Sequence, residues 1–151
     1  MDQEDRLLDL INNRTDITFG SLWWIKDIIW ETVVSGFKIK DRQKKHPACC
    51  IGCEKFTSLF QTIPMLLGSH SICYGFPTGV LSEKNNNKGC HGKEYKDGYF
   101  AIRPYNIGVY NVVGSDPGIE RNSYKPTMTE REKEQLKRYL HDNGVDIDER
   151  A

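Results

Sequence analysis

The fold of this chain is decided by one stretch, residues 44–53, which reads KKHPACCIGC. Two lysines and a histidine lead into Pro47, and the residues after the proline are small and apolar. Proline is tolerated at the first residue of a strand, where its missing N–H is not needed by a neighbouring strand. The pattern therefore predicts a basic loop that ends at Pro47 and a buried strand over residues 48–53.

The loop before this strand is cationic, although the formal net charge of the 151-residue chain is zero. Between residues 38 and 45 there is one anion, Asp41, against five cations: Lys38, Lys40, Arg42, Lys44 and Lys45. Clustered cations gain free energy on a polyanion because counterions are released, so these five residues are candidates for binding RNA. The plainer interpretation of such a charge run is a solvated hairpin tip.

Aromatic and β-branched runs on both sides of the loop predict further strands. These predicted strands cover residues 22–25, 28–34, 56–67 with a bend at Pro64, 72–74, 99–102 and 109–113. Residues 83–97 are polar and rich in asparagine and glycine, which predicts a long loop that is either functional or mobile.

Helical spacing marks both ends of the chain. Apolar residues 7, 8, 10 and 11 follow an acidic first turn and predict a short N-terminal helix that Asn12 and Asn13 end. Residues 129–132, TERE, form a capping box that opens a C-terminal helix, and Gly144 lies where a glycine commonly follows a helix. Many short strands with a terminal helix predict a single domain over residues 1–151, α+β and mostly β, built as a small barrel.

The composition favours a globular protein in the cytoplasm. Hydrophobic residues make up 38% of the chain and charged residues 28%, which is too apolar for a disordered chain. No stretch reaches the roughly 18 apolar residues that span a bilayer, and the acidic N-terminal segment is unlike a cationic signal peptide. We therefore expect no membrane partner.

The five cysteines favour reduced thiols over disulfides, because their number is odd and the adjacent Cys49 and Cys50 cannot easily bridge each other. Cys50 and Cys53 have the C-x-x-C spacing of a zinc ligand pair, but a structural zinc site needs a second pair. Cys90 with His91 is a poor substitute. Buried free thiols are the favoured interpretation and no cofactor is expected, with a small zinc-stabilised binding module as the alternative.

Two histidines are candidates for proton transfer. His46 joins the basic loop to the strand, and His70 lies between Ser69 and Ser71 at the end of another predicted strand. Nearby lysines disfavour a protonated His46, which suits a neutral base near pH 7. Two histidines at one phosphodiester would supply the base and the acid for RNA cleavage. For each histidine alone, a structural or surface role is the plainer interpretation.

The order of these segments, over roughly residues 19–142, resembles the PemK/MazF family of toxin endoribonucleases. That family has a Gly-[Asp]-hydrophobic-Trp-hydrophobic opening strand, a basic loop, an Arg-Pro strand, a strand that ends in a Thr/Ser turn, and an amphipathic C-terminal helix. The counterparts in this chain are residues 20–25, 38–45, 46–51, 63–71 and 129–141.

The resemblance implies an SH3-like barrel, often a homodimer, that cuts single-stranded RNA without a metal and is paired with a small antitoxin protein. It also implies that an arginine before the proline and a Thr/Ser hydroxyl serve phosphoryl transfer. This chain has His46 in place of the arginine, so Arg42, Lys44 or Lys45 would supply the cation, or His46 would act as acid or base. Ser69 or Ser71 would supply the hydroxyl. Because of this departure, the alternative is a noncatalytic barrel that binds nucleic acid or a partner protein.

Overall fold

The structure is a computed structural model that describes residues 2–39, 41, 44–52, 55–69, 76–77, 99–113, 118–123 and 125–147. Over these residues the chain is an α+β fold built on an antiparallel sheet, which confirms the predicted class. The helices are α1 (Gln3–Asn12), α2 (Asp27–Val33), α3 (Tyr110–Val113) and α4 (Glu130–Asp142). The strands are β1 (Leu22–Lys26), β2 (Lys45–Cys50), β3 (Thr62–Ser69), β4 (Phe76–Pro77), β5 (Tyr99–Phe100), β6 (Tyr105–Gly108) and β7 (Ile119–Arg121).

The centre of the sheet is the antiparallel set of β1, β2 and β3. In the β1–β2 register Ile25 lies opposite His46, and in the β2–β3 register Ala48 lies opposite Leu67. The strand order is β4-β5-β3-β2-β1-β7, and β6 also pairs with β3. The predicted strands at residues 22–25 and 48–53 correspond to β1 and β2 in the middle of the sheet, but β2 ends at Cys50 and residue 53 lies outside the described residues.

Strand β3 divides the sheet, because two different strands pair with the same edge of it. Its first half, from Thr62 to Met65, pairs with β6, while Gly68 and Ser69 pair with β5. Among the described residues, no pairing joins β7 to β4 or β6. The described part of the sheet is therefore open, and closure into a barrel is not seen in it.

Side-chain alternation along the central strands creates two apolar cores, one on each face of the sheet. Trp23, Ile25 and Ala48 belong to the first core, which α1, α2 and α3 cover. Leu22, Cys49 and Leu66 belong to the second core, together with Leu136 and Leu140 of α4. The N-terminal helix α1 therefore packs on one face of the sheet and the C-terminal helix α4 packs on the other face.

The predicted C-terminal helix is confirmed in detail. The hydroxyl of Thr129 accepts a hydrogen bond from the Glu132 N–H at 3.2 Å, and the Glu132 carboxylate accepts one from the Thr129 N–H at 2.7 Å. Gly144 follows the helix with φ +73°, a conformation that glycine adopts without strain. The N-terminal helix is also confirmed, and it begins after Asp2, whose side chain accepts from the Asp5 N–H.

The sequence pattern predicts a strand at residues 28–34, and this prediction is wrong because helix α2 occupies residues 28–33. Ile29 and Trp30 are buried and Val33 packs against the same core, whereas Ile28 is 36% exposed. This spacing puts the buried residues on one side of a helix, so burial overrides the β propensity of the individual residues.

A second predicted strand, at residues 109–113, is also wrong. The strand there is β6, which ends at Gly108, and Val109 leads into the single turn of α3. Val109 and Val112, three residues apart, are both buried in the first core, which a helical turn allows.

Other boundaries differ from the predicted ones. β3 begins at Thr62, because residues 57–61 form a turn in which the Gln61 side chain accepts the N–H groups of Thr57 and Ser58. β2 begins at Lys45, two residues before Pro47, and β5 is shorter than the predicted 99–102. The predicted strand at residues 72–74 and the predicted loop at 83–97 lie outside the described residues. Of the helices described, none is long and apolar enough to span a bilayer.

Candidate functional site

The candidate site lies where β1 ends and β2 begins, at one end of the first core. Lys26 ends β1 and Asp27 begins α2, while the antiparallel register places His46 opposite Ile25. The chain therefore turns from strand to helix at the point where His46 enters the sheet. This geometry brings residue 27 next to residue 46 although they are 19 positions apart in the sequence.

His46 and Asp27 form a hydrogen-bonded pair, with 2.6 Å between Nδ1 of the imidazole and Oδ1 of the carboxylate. The Asp27 side chain is 3% exposed and the His46 side chain is 20% exposed. A buried carboxylate needs such a partner because an unpaired buried charge is expensive. The carboxylate is thus fixed inside the protein, while part of the imidazole stays in reach of solvent.

The contact determines which imidazole nitrogen is available for chemistry. An ionised carboxylate only accepts hydrogen bonds, so the proton of the pair belongs on Nδ1 of His46. A neutral imidazole with its proton on Nδ1 has a lone pair on Nε2. A buried Asp that accepts a hydrogen bond from Nδ1 of a partly exposed His is the arrangement that orients the general base in many hydrolytic sites.

Two further contacts hold this pair in place. The backbone N–H of Asp27 donates to the carbonyl oxygen of Lys44 at 2.8 Å, so Asp27 also fixes the end of the basic loop. The ring of Phe37 meets the His46 ring edge to face, with 5.6 Å between centroids and 82° between the planes. Both contacts come from the segment between α2 and β2, which ties that segment to the imidazole.

The predicted RNA-binding lysines that the structure describes have different surroundings. Lys38 and Lys44 are exposed. Lys45 is half-buried and forms an ion pair with Glu120 of β7. Lys40 and Arg42 lie outside the described residues. The sequence predicts that lysines are the charged neighbours of His46. In the structure the charged group in contact with His46 is the carboxylate of Asp27.

Of the predicted hydroxyl and histidine candidates in β3 and after it, the structure describes Ser69. The β2–β3 pairs run from Cys50 and Met65 to Ala48 and Leu67, and continuing this register places Ser69 opposite His46. A close approach of the Pro47 ring to Gly68 agrees with that continuation. Alternation then puts His46 and Ser69 on the same face of the sheet. His70 and Ser71 lie outside the described residues.

The cysteines that the structure describes, Cys49 and Cys50, are buried thiols that form no disulfide, as predicted. Cys49 and Cys50 are fully buried, and the Cys50 thiol donates to the Gly52 carbonyl at 2.9 Å. Burial raises the pKa of the Cys49 thiol well above its usual value, with smaller contributions from Cys50 and Glu132. In the described part of the chain no cluster of His, Cys, Asp or Glu could hold a metal ion. Cys53, Cys90 and His91 lie outside it.

Asp27 is the site residue that the sequence interpretation missed. Its signal was the polar pair Lys26-Asp27 between two apolar runs, which a single continuous strand would not contain. A strand over the second run gives Asp27 no defined position relative to His46, whereas helix α2 begins at Asp27 and places it beside the imidazole.

Comparisons with protein-family models, with curated proteins and with solved structures each found no match. The resemblance to the PemK/MazF toxins is therefore based on the sequence pattern.

Proposed function

We propose that this protein is a toxin endoribonuclease of the PemK/MazF type that cleaves single-stranded RNA without a metal. In this proposal His46 is a catalytic residue that exchanges protons with the RNA, and Asp27 is a positioning residue. The observation that carries the proposal is the 2.6 Å contact between His46 Nδ1 and the buried Asp27 carboxylate, at the end of a cationic loop.

The reaction that fits this geometry uses the RNA's own 2′-hydroxyl. Nε2 of His46 takes the hydroxyl proton as O2′ attacks the neighbouring phosphorus, and a bond forms between them. The bond from phosphorus to O5′ then breaks, and O5′ leaves as a hydroxyl after it receives a proton from an acid. The products are a 2′,3′-cyclic phosphate and a 5′-hydroxyl end. The proposed acid is His70, which follows Ser69, the last residue of β3, in the sequence.

Charge near the phosphate supports the proposal further. Lys38 and Lys44 are exposed on the loop that Asp27 anchors, so their ammonium groups can approach a phosphate close to His46. Phosphoryl transfer is helped by cations that stabilise the charge on the phosphate oxygens. Ser69, on the same face as His46, would offer a hydroxyl to the same phosphate, with Ser71 as the other candidate.

The barrel belongs to this proposal as well. We propose that the sheet curls into an SH3-like barrel; the antiparallel order β7-β1-β2-β3 and the division of the β3 edge between β5 and β6 support this proposal. We also propose the partners that go with the family: single-stranded RNA as substrate, a small antitoxin protein, and a second copy of this chain.

The test is cleavage of a mixed pool of end-labelled single-stranded RNA in the presence of EDTA. We expect wild-type protein to generate ends with 2′,3′-cyclic phosphate, and His46→Ala to lose at least about a hundredfold in rate, the typical contribution of a general base. His141→Ala is the matched control, because His141 is 91% exposed on α4. Cleavage that His46→Ala retains in full would overturn the catalytic assignment.

A noncatalytic barrel that binds nucleic acid is the second candidate, and the observation that favours it is His46 at the position of the family's arginine. This candidate predicts that wild-type protein retains RNA without cutting it. The same assay, read on a native gel before and after long incubation, distinguishes the two functions.

A further inference from the structure

Phe37 directly precedes the basic loop, and the structure holds it firmly in place. Its side chain is half-buried and packs against the first core. Its backbone N–H donates to the carbonyl oxygen of Val34, the residue after α2, at 3.2 Å. Gly36 has φ +78°, a backbone conformation that other residues rarely adopt, and it turns the chain just before Phe37. Both the backbone and the ring of Phe37 are therefore fixed from the side of α2.

The two ends of the basic loop meet at the same pair of residues. At the first end, the Phe37 ring lies edge to face with the His46 imidazole, with 5.6 Å between the ring centroids. At the other end, the Lys44 carbonyl oxygen accepts from the backbone N–H of Asp27 at 2.8 Å. His46 and Asp27 are hydrogen-bonded to each other. The pair is therefore the connection between the start and the end of the loop.

The imidazole of His46 needs both of its contacts to have a defined orientation. The Asp27 carboxylate fixes one atom of the ring, Nδ1. A single hydrogen bond tolerates tilt of the ring, because such bonds weaken steeply only when the donor angle falls below about 120°. The Phe37 ring supplies a second contact, at 82° between the planes, and edge-to-face arrangements are ones that aromatic pairs prefer. Together the two contacts restrict the ring plane more than either does alone.

We propose that Phe37 is a positioning residue that couples the basic loop to the orientation of the His46 imidazole. Coupling between two sites is reciprocal, so an anchored loop holds the imidazole in place and an anchored imidazole holds the loop. The role of this coupling in catalysis rests on the proposed function, in which His46 takes a proton while the lysines of the loop approach the phosphate. The coupling itself does not require that RNA is cut.

The first measurement is the hydrogen exchange rate of the Asp27 backbone amide in the full chain, followed by NMR. This amide reports on the far end of the loop, because it donates to Lys44. We expect Phe37→Leu, which lacks the aromatic ring, to accelerate its exchange about twofold to tenfold, the range that the free energy of one aromatic pair allows. Phe37→Tyr keeps the ring and should exchange at nearly the wild-type rate.

Leu59→Ala is the matched control for a general loss of stability. Leu59 is also half-buried and packs against the first core, but it lies before the start of β3, whereas His46 lies at the level of the end of β3. We expect this variant to leave the exchange of the Asp27 amide unchanged. Circular dichroism verifies that each variant folds.

The second measurement concerns the imidazole and its activity. Long-range ¹H–¹⁵N spectra of Phe37→Leu should show a smaller population of the Nδ1–H tautomer of His46, because the hydrogen bond to Asp27 is formed less often, and Phe37→Tyr should restore it. In the RNA cleavage assay, Phe37→Leu should lower kcat about tenfold and by a larger factor than it raises KM, since a misplaced base impairs the chemical step.

The outcomes separate this inference from the proposed function. If exchange and tautomer respond to loss of the ring while wild type cuts no RNA, the coupling stands and the proposed function fails. If neither responds, or if Leu59→Ala accelerates the exchange of Asp27 as much as Phe37→Leu does, the coupling is overturned whether or not RNA is cut. If wild type cuts RNA and Phe37→Leu has the same kcat, Phe37 does not position the base, and the inference is overturned.

Discussion

The imidazole of His46 is held by the buried carboxylate of Asp27 at 2.6 Å, and the backbone of the same aspartate holds the carbonyl of Lys44 at 2.8 Å. One residue at the start of α2 therefore fixes both the candidate base and the end of the basic loop. Because the two contacts use different groups of Asp27, side-chain substitutions can remove the first while the second remains.

We predict that the His46–Asp27 pair is strongly non-additive in stability. His46→Ala leaves a buried carboxylate without its partner and should lower the free energy of unfolding by about 3 kcal/mol, the cost of an uncompensated buried charge. Adding Asp27→Asn to His46→Ala removes that charge and should recover part of the loss. Urea unfolding of wild type, both single variants and the double variant measures the coupling. Losses that add to within about 0.5 kcal/mol would contradict a direct pair.

The tautomer of His46 is a second prediction, and it does not depend on activity. In the neutral ring the proton should be on Nδ1, because Asp27 accepts from that nitrogen. Long-range ¹H–¹⁵N NMR spectra of ¹⁵N-labelled protein distinguish the two ring nitrogens. Asp27→Asn should reduce the population of the Nδ1–H tautomer, while exposed His141 should have the same spectrum in both proteins. A wild-type His46 with its proton on Nε2 would rule out the proposed role of Nε2 as base.

The elements that the sequence predicted correctly are those with local signals. The capping box of Thr129 and Glu132 defines α4 within four residues, and the apolar run after Pro47 defines β2. Helix α2 was missed because its residues have β propensity and its helical state depends on burial of Ile29 and Trp30 against other elements. The position of His46 in the sequence is enough to select it as a candidate. Its contact with Asp27 is not predictable in the same way, because that contact depends on the β1–β2 register and on the start of α2 at Asp27.

The ion pair between Lys125 and Glu132 should stabilise the protein less in acid than at neutral pH. The Lys125 ammonium lies 2.8 Å from the Glu132 carboxylate, and both side chains are nearly buried. Burial opposes ionisation of Glu132, but the hydrogen bonds from Lys125 and Thr129 outweigh it and hold the pKa of this carboxyl below its usual value. Because the folded-state pKa is lowered, the stabilisation is fully present above the unfolded-state pKa of about 4.3 and is lost as the pH falls through the folded-state value.

The stability difference between wild type and Glu132→Gln should therefore be largest near pH 6 and shrink below about pH 4. Thermal or urea unfolding at a series of pH values measures this difference. Glu134→Gln is the matched control, since Glu134 is on the same helix with a 63% exposed side chain. A difference that stays constant down to pH 3 would mean that the Glu132 carboxylate contributes no pH-dependent stability.

The thiols of Cys49 and Cys50 should be inert in the folded protein. Both side chains are fully buried, and burial raises the pKa of the Cys49 thiol well above its usual value, so its reactive thiolate is scarce. We expect iodoacetamide to leave both residues unmodified at pH 8 in buffer and to alkylate both in urea, as read by peptide mass spectrometry. Rapid alkylation of either residue without urea would contradict their position in the sheet.

The exposed lysines of the basic loop should control the salt dependence of RNA binding. For single-stranded nucleic acid, each neutralised phosphate contributes about 0.7 to the slope of log K against log salt concentration. Lys38→Ala and Lys44→Ala should each lower that slope by roughly this amount, because both side chains are exposed. Lys55→Ala is the control, since Lys55 is equally exposed but lies outside the basic loop. Titrations of a labelled RNA at several salt concentrations, with His46→Ala as the background to prevent cleavage, measure the slopes. If Lys55→Ala changes the slope as much as Lys44→Ala does, the binding is spread over the surface, and the loop that Asp27 anchors has no special role in holding the RNA.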